Sequence, residues 1–205
     1  MKENNWFDPF YIQSHLSEEE SNIQKNVRNF CNNELKPTVV ERNRKNEFDQ
    51  DLYPKFGSLG VLGQTVKTHG GSGTSNLAYG LVAYEFEKID SSYRSSISVQ
   101  SSLVIHPINE FGSEEQKDKY LPQLIKGEKI GCFGLTESEA GSDPASMKTS
   151  FKKTKDGYIL NGSKNWITNA PIADIFIIWA IEENKDHKSI KGFIIEKNTE
   201  GLNTS

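Results

Sequence analysis

The sequence predicts an α+β fold, in which an all-helical N-terminal domain precedes an antiparallel β domain. Two observations support this prediction. Up to about Glu128, apolar residues recur at helical spacing behind N-capping signals. After Glu128, short runs of β-branched and aromatic residues alternate with turn residues. We therefore predict a helical domain at residues 1–128 and a β domain, expected to be incomplete, at residues 129–205.

Five helices are expected in the N-terminal domain. Ser17 and Glu20 form a capping box in front of the first helix, which should end before Pro37. A short helix is predicted within residues 48–62, ahead of the glycine-rich connector at residues 69–74.

The remaining three helices lie between residues 77 and 126. The helix at residues 77–89 is strongly apolar, and its candidates for the core are Leu77, Leu81, Tyr84 and Phe86. The helix at residues 93–111 mixes small hydroxyl and aliphatic residues, and His106-Pro107 predicts a kink or a boundary in it. A second capping box at residues 113–116 opens the last helix, which Gly127 ends.

Six short strands are expected in the β domain, at residues 130–135, 147–154, 158–160, 165–168, 175–181 and 190–196. The turn signals Asp156-Gly157 and Asn161-Gly162 fold this region back on itself, and the lysines at residues 148–155 suit a solvated hairpin. Nothing follows the last strand to cover the sheet. We therefore expect either a partner chain to supply the missing element or the chain to be a fragment.

The composition excludes several classes of protein. The chain has 205 residues, 25% of them charged, and a net charge of −4, so neither nucleic acid nor a membrane is an expected partner. The N-terminus lacks a signal or transit pattern, which favours a cytoplasmic location. Cys31 and Cys132 are expected to be free thiols, and the four histidines lack ligand spacing, so no metal site is predicted.

The polar loop at residues 136–143, TESEAGSD, is the first candidate binding element. Thr136 and Ser142 offer hydroxyl groups, and Gly141 allows close approach to a backbone N–H group. Such donors suit a pyrophosphate or the polar edge of a heterocycle. A plain surface turn is the alternative.

The second candidate is Trp166-Ile167-Thr168. On a strand, alternation would point Trp166 and Thr168 to the same face. A ring system could then pack on the indole while the hydroxyl binds its heteroatoms. An ordinary half-buried strand is the alternative.

The third candidate is the pair Glu87 and Arg94, which share a helix face if the helix continues through Ser91-Ser92. Because the segment around Arg94 is weakly polar, its guanidinium needs an anion from the protein or from a ligand. A structural ion pair is the alternative.

Together these segments resemble the acyl-CoA dehydrogenase family. GCFGLTESEAGSD at residues 131–143 and NGSKNWITNA at residues 161–170 are similar to two of its signatures, at a suitable spacing. The order of domains is also similar, and the resemblance runs from about Leu16 onward. The segment YRSSISVQSSLV at residues 93–104 is most similar to the glutaryl-CoA dehydrogenase subgroup.

The resemblance implies a role for each candidate residue. Thr136 would bind the pyrimidine end of FAD, Trp166 would pack on the flavin edge, and Thr168 would reach the N5/O4 region. Ser142 would lie between the pyrophosphate and the substrate's thioester arm. The full FAD-binding set would be Phe133, Gly134, Leu135, Thr136, Gly141, Ser142, Trp166, Ile167 and Thr168. Arg94, beside Ser95, would bind the distal carboxylate of a glutaryl group, and Glu87 would orient Arg94.

The activity implied is the oxidation of glutaryl-CoA with loss of CO2 to give crotonyl-CoA, as in lysine and tryptophan degradation. Electrons would pass to an electron-transfer flavoprotein. The resemblance also implies a homotetramer, and a mitochondrial matrix location if a presequence has been removed.

Family members carry their catalytic base in a second helical domain, which this sequence does not contain. No base is therefore assigned, and we expect the isolated chain to have little activity. Glu137, Glu139 and Asp143 are expected to be structural. Two alternatives stay open: another acyl-CoA dehydrogenase or a CoA-transferring relative, and a non-catalytic binding or assembly module.

Overall fold

The computed structural model describes residues 8–204. Its α-helices lie before residue 126 and its strands after residue 130, which confirms the α+β fold class. The prediction about targeting depends on the start of the chain, of which residues 1–7 lie outside the described range. Within the described range, no helix is long and apolar enough to cross a membrane. The same residues contain no group of three or more His, Cys, Asp or Glu side chains that could hold a metal ion.

The first helix starts at the predicted capping box. The Ser17 hydroxyl accepts a hydrogen bond from the Glu20 amide at 3.2 Å, and the Glu20 carboxylate accepts one from the Ser17 amide at 3.0 Å. A short 3₁₀ turn, Ile12–His15, precedes this helix, and a π-helical turn, Cys31–Leu35, follows it. The first three α-helices are α1 (Glu18–Phe30), α2 (Val39–Lys45) and α3 (Leu52–Ser58).

Four further helices complete the N-terminal part: α4 (Asn76–Glu87), α5 (Ser91–Ser98), α6 (His106–Phe111) and α7 (Glu114–Ile125). The π-helical segment Val99–Ile105 joins α5 to α6 and ends just before Pro107. Because proline lacks a backbone N–H group, a change of helical pitch at this point is expected, and the predicted boundary at His106-Pro107 is confirmed.

Two of the four core candidates on α4 are not in the core. Leu81 and Phe86 are buried, but Leu77 and Tyr84 are 47% and 51% exposed. Leu77 and Tyr84 lie two turns apart on one face of α4, whereas the buried face of the helix is formed by Ala78, Leu81, Val82, Glu85 and Phe86.

The sheet is mixed, not purely antiparallel as the sequence suggested. Its strands are β1 (Gly131–Gly134), β2 (Ser150–Lys153), β3 (Tyr158–Asn161), β4 (Ile175–Glu182) and β5 (Lys191–Glu196). The order is β1-β4-β2-β3, with β5 also on β4. The hairpins β2–β3 and β4–β5 are antiparallel, but β4 runs parallel to β1 and β2. Only a short hairpin forces antiparallel pairing, and β4 returns to β1 after the long excursion through residues 135–174.

The predicted strand at residues 165–168 is wrong. These residues form no strand, and Trp166 has a φ of 59°, in the left-handed region. The alternation rule that placed Trp166 and Thr168 on one face therefore does not apply to them. The five other predicted strands are present, and the lysines at residues 152 and 153 are exposed on the β2–β3 hairpin, as predicted.

The helices and the sheet share one core. It contains residues of the helices together with Ile175 and Ile177 of β4. The fully buried Gln100 reinforces this junction, because its amide donates to the carbonyl oxygens of Leu124 and Lys129 at 2.9 and 2.8 Å. Its own oxygen accepts a hydrogen bond from the Gly131 amide at 2.7 Å. One buried side chain thus joins α7, the connection after it and β1.

Both cysteines are free, as predicted, and buried. Burial raises the pKa of the Cys31 and Cys132 thiols to about 12. Thiols with so high a pKa are poor nucleophiles, so neither cysteine is a candidate for catalysis.

Candidate functional site

The loop that follows β1 presents polar groups at the end of a buried strand. A tight turn forms its tip, since Glu137 and Ala140 exchange two backbone hydrogen bonds of 3.2 Å. Thr136 is half-buried, and Gly141 and Ser142 are exposed. A Cβ atom on Gly141 would meet nothing within 4 Å, so a ligand can approach the backbone there.

Residues 164–169 lie directly beside this loop. The Asn165 amide donates to the Thr136 carbonyl oxygen at 2.9 Å, which brings the two predicted binding segments together. Ile167 packs into a small apolar cluster with Cys132, Ala173 and Phe176. Asn169 anchors the far end of the segment to β1. Its side-chain amide donates to the Gly131 carbonyl oxygen at 3.1 Å.

Trp166 is the most informative side chain of this segment. It is 93% exposed, so the protein residues described here give its indole almost no packing. Its left-handed backbone, with a φ of 59°, is unusual for a bulky residue. Unfavourable backbone conformations of this kind concentrate at ligand sites. The alternative of a half-buried strand residue is therefore wrong, and the indole is available to a flat ligand.

A buried ion pair underlies the two segments. The Lys164 ammonium lies 2.8 Å from a Glu137 carboxylate oxygen, and the two side chains are 7% and 9% exposed. Lys164 also donates to the Leu135 carbonyl oxygen at 2.9 Å. The Glu137 carboxylate accepts two further hydrogen bonds, from the amides of Lys148 and Thr149 at 2.7 and 3.0 Å.

The partners of Glu137 decide its protonation. Burial alone would raise the pKa of this carboxyl, but the hydrogen bonds from Lys164, Thr149 and Lys148 outweigh burial and lower the pKa to about 2. A carboxylate that is ionised and fully engaged is a weak base. This geometry agrees with the expectation that Glu137 is structural.

The other carboxylates of the loop are exposed. Glu139 pairs with Lys148, and that hydrogen bond lowers the pKa of the Glu139 carboxyl. Asp143 is exposed as well, and its backbone carbonyl oxygen accepts a hydrogen bond from the Ser146 hydroxyl at 2.8 Å. Neither carboxylate is held in a pocket that would prepare it for proton transfer.

Glu87 and Arg94 meet as predicted, but by a different route. The helix does not continue through Ser91-Ser92: α4 ends at Glu87, and Asp90 caps α5 by accepting a hydrogen bond from the Ser92 amide. Arg94 Nε nevertheless donates to Glu87 Oε2 at 2.7 Å. The Ser91 hydroxyl also donates to Glu87 at 2.6 Å, and these two hydrogen bonds lower the pKa of the Glu87 carboxyl.

Arg94 is less buried than its sequence context suggested. Its side chain is 39% exposed, and its neighbour Ser95 is partly exposed. Glu87 engages only Nε, and the two Nη nitrogens have no hydrogen-bond partner among residues 8–204. The outer edge of the guanidinium is thus available to a carboxylate.

A polar seam that sequence analysis missed runs along the same helices. The Tyr79 hydroxyl lies 2.7 Å from the Ser102 hydroxyl and 3.3 Å from the Ser98 hydroxyl. Tyr79 precedes Glu87 by two turns of α4, and Ser98 follows Arg94 by one turn of α5. Arg94 and Ser98 are four residues apart, and residues at this spacing share a helix face. This spacing in the sequence could have indicated the seam.

The candidate residues form two separate groups. Within the described range, no hydrogen bond or ion pair joins the Glu87–Arg94 pair to the loop or to residues 164–169. Two shallow surface cavities lie elsewhere on the helical part, one lined by Phe30, Pro54, Lys55, Ser58 and Leu59 and the other by residues of α2 and the turn after it. Neither cavity contains a candidate residue.

Two family models match the chain. Residues 17–128 match "Acyl-CoA dehydrogenase, N-terminal domain", and residues 132–205 match "Acyl-CoA dehydrogenase, middle domain". Together they cover most of the sequence, in the order that the structure shows.

Individual proteins of several substrate classes are similar to the chain. A short-chain specific acyl-CoA dehydrogenase from Clostridium acetobutylicum is 40% identical over 91% of this chain and 50% of its own length. A mitochondrial isovaleryl-CoA dehydrogenase from Pongo abelii is 40% identical over 93% of this chain and 46% of its own length.

A solved structure matches equally well. The glutaryl-CoA dehydrogenase from Mycobacterium smegmatis, in complex with FADH2, is 41% identical, with a TM-score of 0.89 over 94% of this chain and 49% of that chain. The chain spans about half the length of the curated relatives that it matches.

Proposed function

The chain belongs to the acyl-CoA dehydrogenase family, and we propose that it binds FAD between the loop after β1 and residues 166–168. The exposed Trp166 indole is the observation that supports this site most strongly, since a flat ring system would bury it. Bound FAD would supply the redox chemistry by accepting a hydride from an acyl chain, and the protein would bind and orient both molecules.

The residues proposed to bind FAD fit this role in different ways. Thr136 and Thr168 would use their hydroxyl groups, and Gly141 and Ser142 would offer backbone and hydroxyl donors on an open surface. Phe133, Gly134, Leu135 and Ile167 would act through their backbone or as support. The Phe133 ring packs on Trp179 with 5.9 Å between ring centroids, and a Cβ atom on Gly134 would meet Ile178 at 2.5 Å.

A titration with FAD tests the site directly. The titration uses a purified variant with the substitutions Trp6→Phe and Trp179→Phe. Trp166 is then the one tryptophan of the chain, and tryptophan emission reports on it alone. We expect FAD to quench this emission as the complex forms, and we expect the flavin fluorescence to fall with the same dissociation constant. Trp166→Leu, which removes the stacking surface at a position with little packing, should weaken binding about tenfold. Unchanged FAD affinity in Trp166→Leu would refute the assignment.

We further propose that the acyl substrate carries a distal carboxylate, as glutaryl-CoA does. The similar proteins include short-chain, isovaleryl and glutaryl enzymes at nearly the same identity, so similarity alone does not choose among them. The open Nη edge of Arg94 favours a dicarboxylic acyl group. Ser95 would add a hydroxyl donor, and Glu87 would hold the guanidinium by its Nε.

The reaction proposed for such a substrate is oxidation with loss of CO2 to give crotonyl-CoA. An electron-transfer flavoprotein as electron acceptor, and assembly as a homotetramer, are proposed from the family resemblance. No catalytic base is assigned among the described residues, because the loop carboxylates nearest the proposed FAD site are either engaged, as Glu137 is, or exposed.

A further inference from the structure

The Lys164 side chain binds the two sequence neighbours of Thr136, the residue whose carbonyl oxygen links the two proposed FAD-binding segments. Its ammonium donates to the Leu135 carbonyl oxygen and to the Glu137 carboxylate, at 2.9 and 2.8 Å. Leu135 and Glu137 flank Thr136 in the sequence. Lys164 itself lies two residues before Trp166. A single side chain therefore connects the loop after β1 with the segment that presents the exposed indole.

The ion pair is held from a third direction as well. Glu137 accepts hydrogen bonds from the amides of Lys148 and Thr149, which precede β2. Thr149 in turn packs against Gly162, where a Cβ atom would lie 2.6 Å from the Thr149 Cα atom. Gly162 lies two residues before Lys164, so the backbone before β2 packs closely against the backbone that leads into the segment.

Residues 164–169 are thus fixed at both ends. Lys164 binds the loop at one end, and Asn169 binds the Gly131 carbonyl oxygen at 3.1 Å at the other. Between these ends, the Asn165 amide donates to the Thr136 carbonyl oxygen at 2.9 Å. Trp166 is presented outward from this anchored stretch and has no comparable packing of its own.

A buried charge pair suits the task of fixing a register. Apolar side chains tolerate sliding, because their contacts depend weakly on direction. A buried ammonium without its carboxylate is strongly unfavourable, and its hydrogen bonds require a defined geometry. Any register of the two segments that separates Lys164 from Glu137 is therefore disfavoured.

We propose that Lys164, paired with Glu137, is a positioning residue that sets the spacing between Thr136 and the Trp166–Thr168 segment, and through that spacing the fit of the flavin. The part that concerns the flavin rests on the proposed function. Lys164 does not touch the ligand in this proposal, since it is buried beneath the two segments that do.

The test compares the wild type with Lys164→Met, with the double variant Lys164→Met/Glu137→Gln, and with Lys148→Met. The double variant removes both charges together, so that no uncompensated charge remains buried. Lys148→Met is the matched control, because it removes an ion pair from the same loop whose two side chains are 76% and 71% exposed. Thermal unfolding of each protein separates loss of the fold from loss of register.

Two measurements report the register. Hydrogen exchange of the backbone amide of Asn165, followed by NMR in the absence of FAD, reports its hydrogen bond to the Thr136 carbonyl oxygen. The FAD dissociation constant reports the fit of the ligand. In the double variant we expect near-wild-type thermal unfolding, about tenfold faster Asn165 exchange and about tenfold weaker FAD binding. Lys148→Met should change neither quantity.

The outcomes separate this inference from the proposed function. If the wild type binds FAD and the double variant binds it equally well with Asn165 still protected, Lys164 is not a positioning residue, although the FAD site stands. If the wild type does not bind FAD but the double variant loses Asn165 protection, the proposed function fails and the role of Lys164 in spacing the two segments is supported.

Discussion

Arg94 donates from Nε to Glu87 across the junction of two helices, at 2.7 Å, while the outer edge of its guanidinium stays open. This relationship separates two tasks within one side chain. The inner nitrogen fixes the orientation of the plane, and the outer nitrogens can bind a carboxylate with two parallel hydrogen bonds. An arginine that served only as a structural ion pair would not need that outer edge exposed.

Arg94→Gln tests this division of tasks. We expect the variant to lose about 10- to 100-fold in affinity for glutaryl-CoA, because a charge-assisted hydrogen-bond pair is removed, with little change for butyryl-CoA. Calorimetric titration of both ligands measures the difference. Arg42→Gln is the control. It breaks the ion pair of Arg42 with Asp49, which is 2.9 Å long and lies in the same helical part but outside the candidate site. An unchanged ratio of the two affinities would remove Arg94 from the substrate site.

The stability contributed by Glu137 should depend on pH. Its pKa of about 2 in the folded chain lies below the ordinary glutamate value of 4.5, so the unfolded state binds the proton more tightly. This contribution is complete above about pH 5 and is lost as the pH falls towards 2.

The comparison of wild type with Glu137→Gln isolates this effect. We expect the difference in free energy of unfolding, measured with urea, to be largest near neutral pH and to narrow between about pH 5 and pH 3. Glu139→Gln is the control, because that carboxylate is exposed and solvent screens its pair with Lys148. A difference for Glu137→Gln that stays constant over this range would contradict the assigned pKa.

Gln100→Leu should destabilise the chain by about 2 kcal/mol or more. The substitution leaves the Lys129 carbonyl oxygen and the Gly131 amide without their partner, and each buried unpaired group costs about 1–3 kcal/mol. The Leu124 carbonyl oxygen also loses a hydrogen bond, but it keeps the one from the Gly127 amide at 3.2 Å. Urea unfolding at neutral pH measures the loss. Gln123→Leu, which removes a single exposed hydrogen bond to Lys119, should change the free energy of unfolding by less than about 0.5 kcal/mol.

Two helical glycines should respond to alanine in opposite ways. A Cβ atom on Gly57 of α3 would lie 2.1 Å from the Lys126 carbonyl oxygen, so Gly57→Ala forces α3 away from the end of α7. Such overpacking destabilises by about 1–3 kcal/mol. Gly80 of α4 has nothing within 4 Å of the same position, so Gly80→Ala should stabilise by about 0.5–1 kcal/mol. Thermal unfolding distinguishes the two signs, and the same sign for both would contradict this packing.

Local signals in the sequence predicted most of the fold. The capping boxes at Ser17 and Ser113 and the turn at Gly127 depend only on residues within one helical turn, and all three are present in the structure. Whether two strands that are distant in the sequence pair in parallel or antiparallel depends on the path of the chain between them. The parallel pairing of β4 with β1 was therefore not predictable from the hairpin signals between them.

The candidate site was only partly predictable for the same reason. The hydroxyl groups of the loop and the indole of Trp166 stand out as residue types, but nothing local indicates that the Trp166 backbone is left-handed. Lys164 has the composition of a surface residue, and its burial depends on Glu137, which lies 27 positions earlier. Side chains whose role depends on a distant partner give no local pattern to detect.

Gln100 also bears on how the chain folds. Its hydrogen bonds cross the boundary that the sequence predicts near residue 128, and the shared core places Ile175 and Ile177 against helical residues. A polypeptide that stopped at residue 128 would expose that apolar surface and leave the Gln100 oxygen without the Gly131 amide. The helical and β parts should consequently unfold in one cooperative transition. The change from helical to strand-like sequence patterns near residue 128 therefore does not mark an independently folding unit.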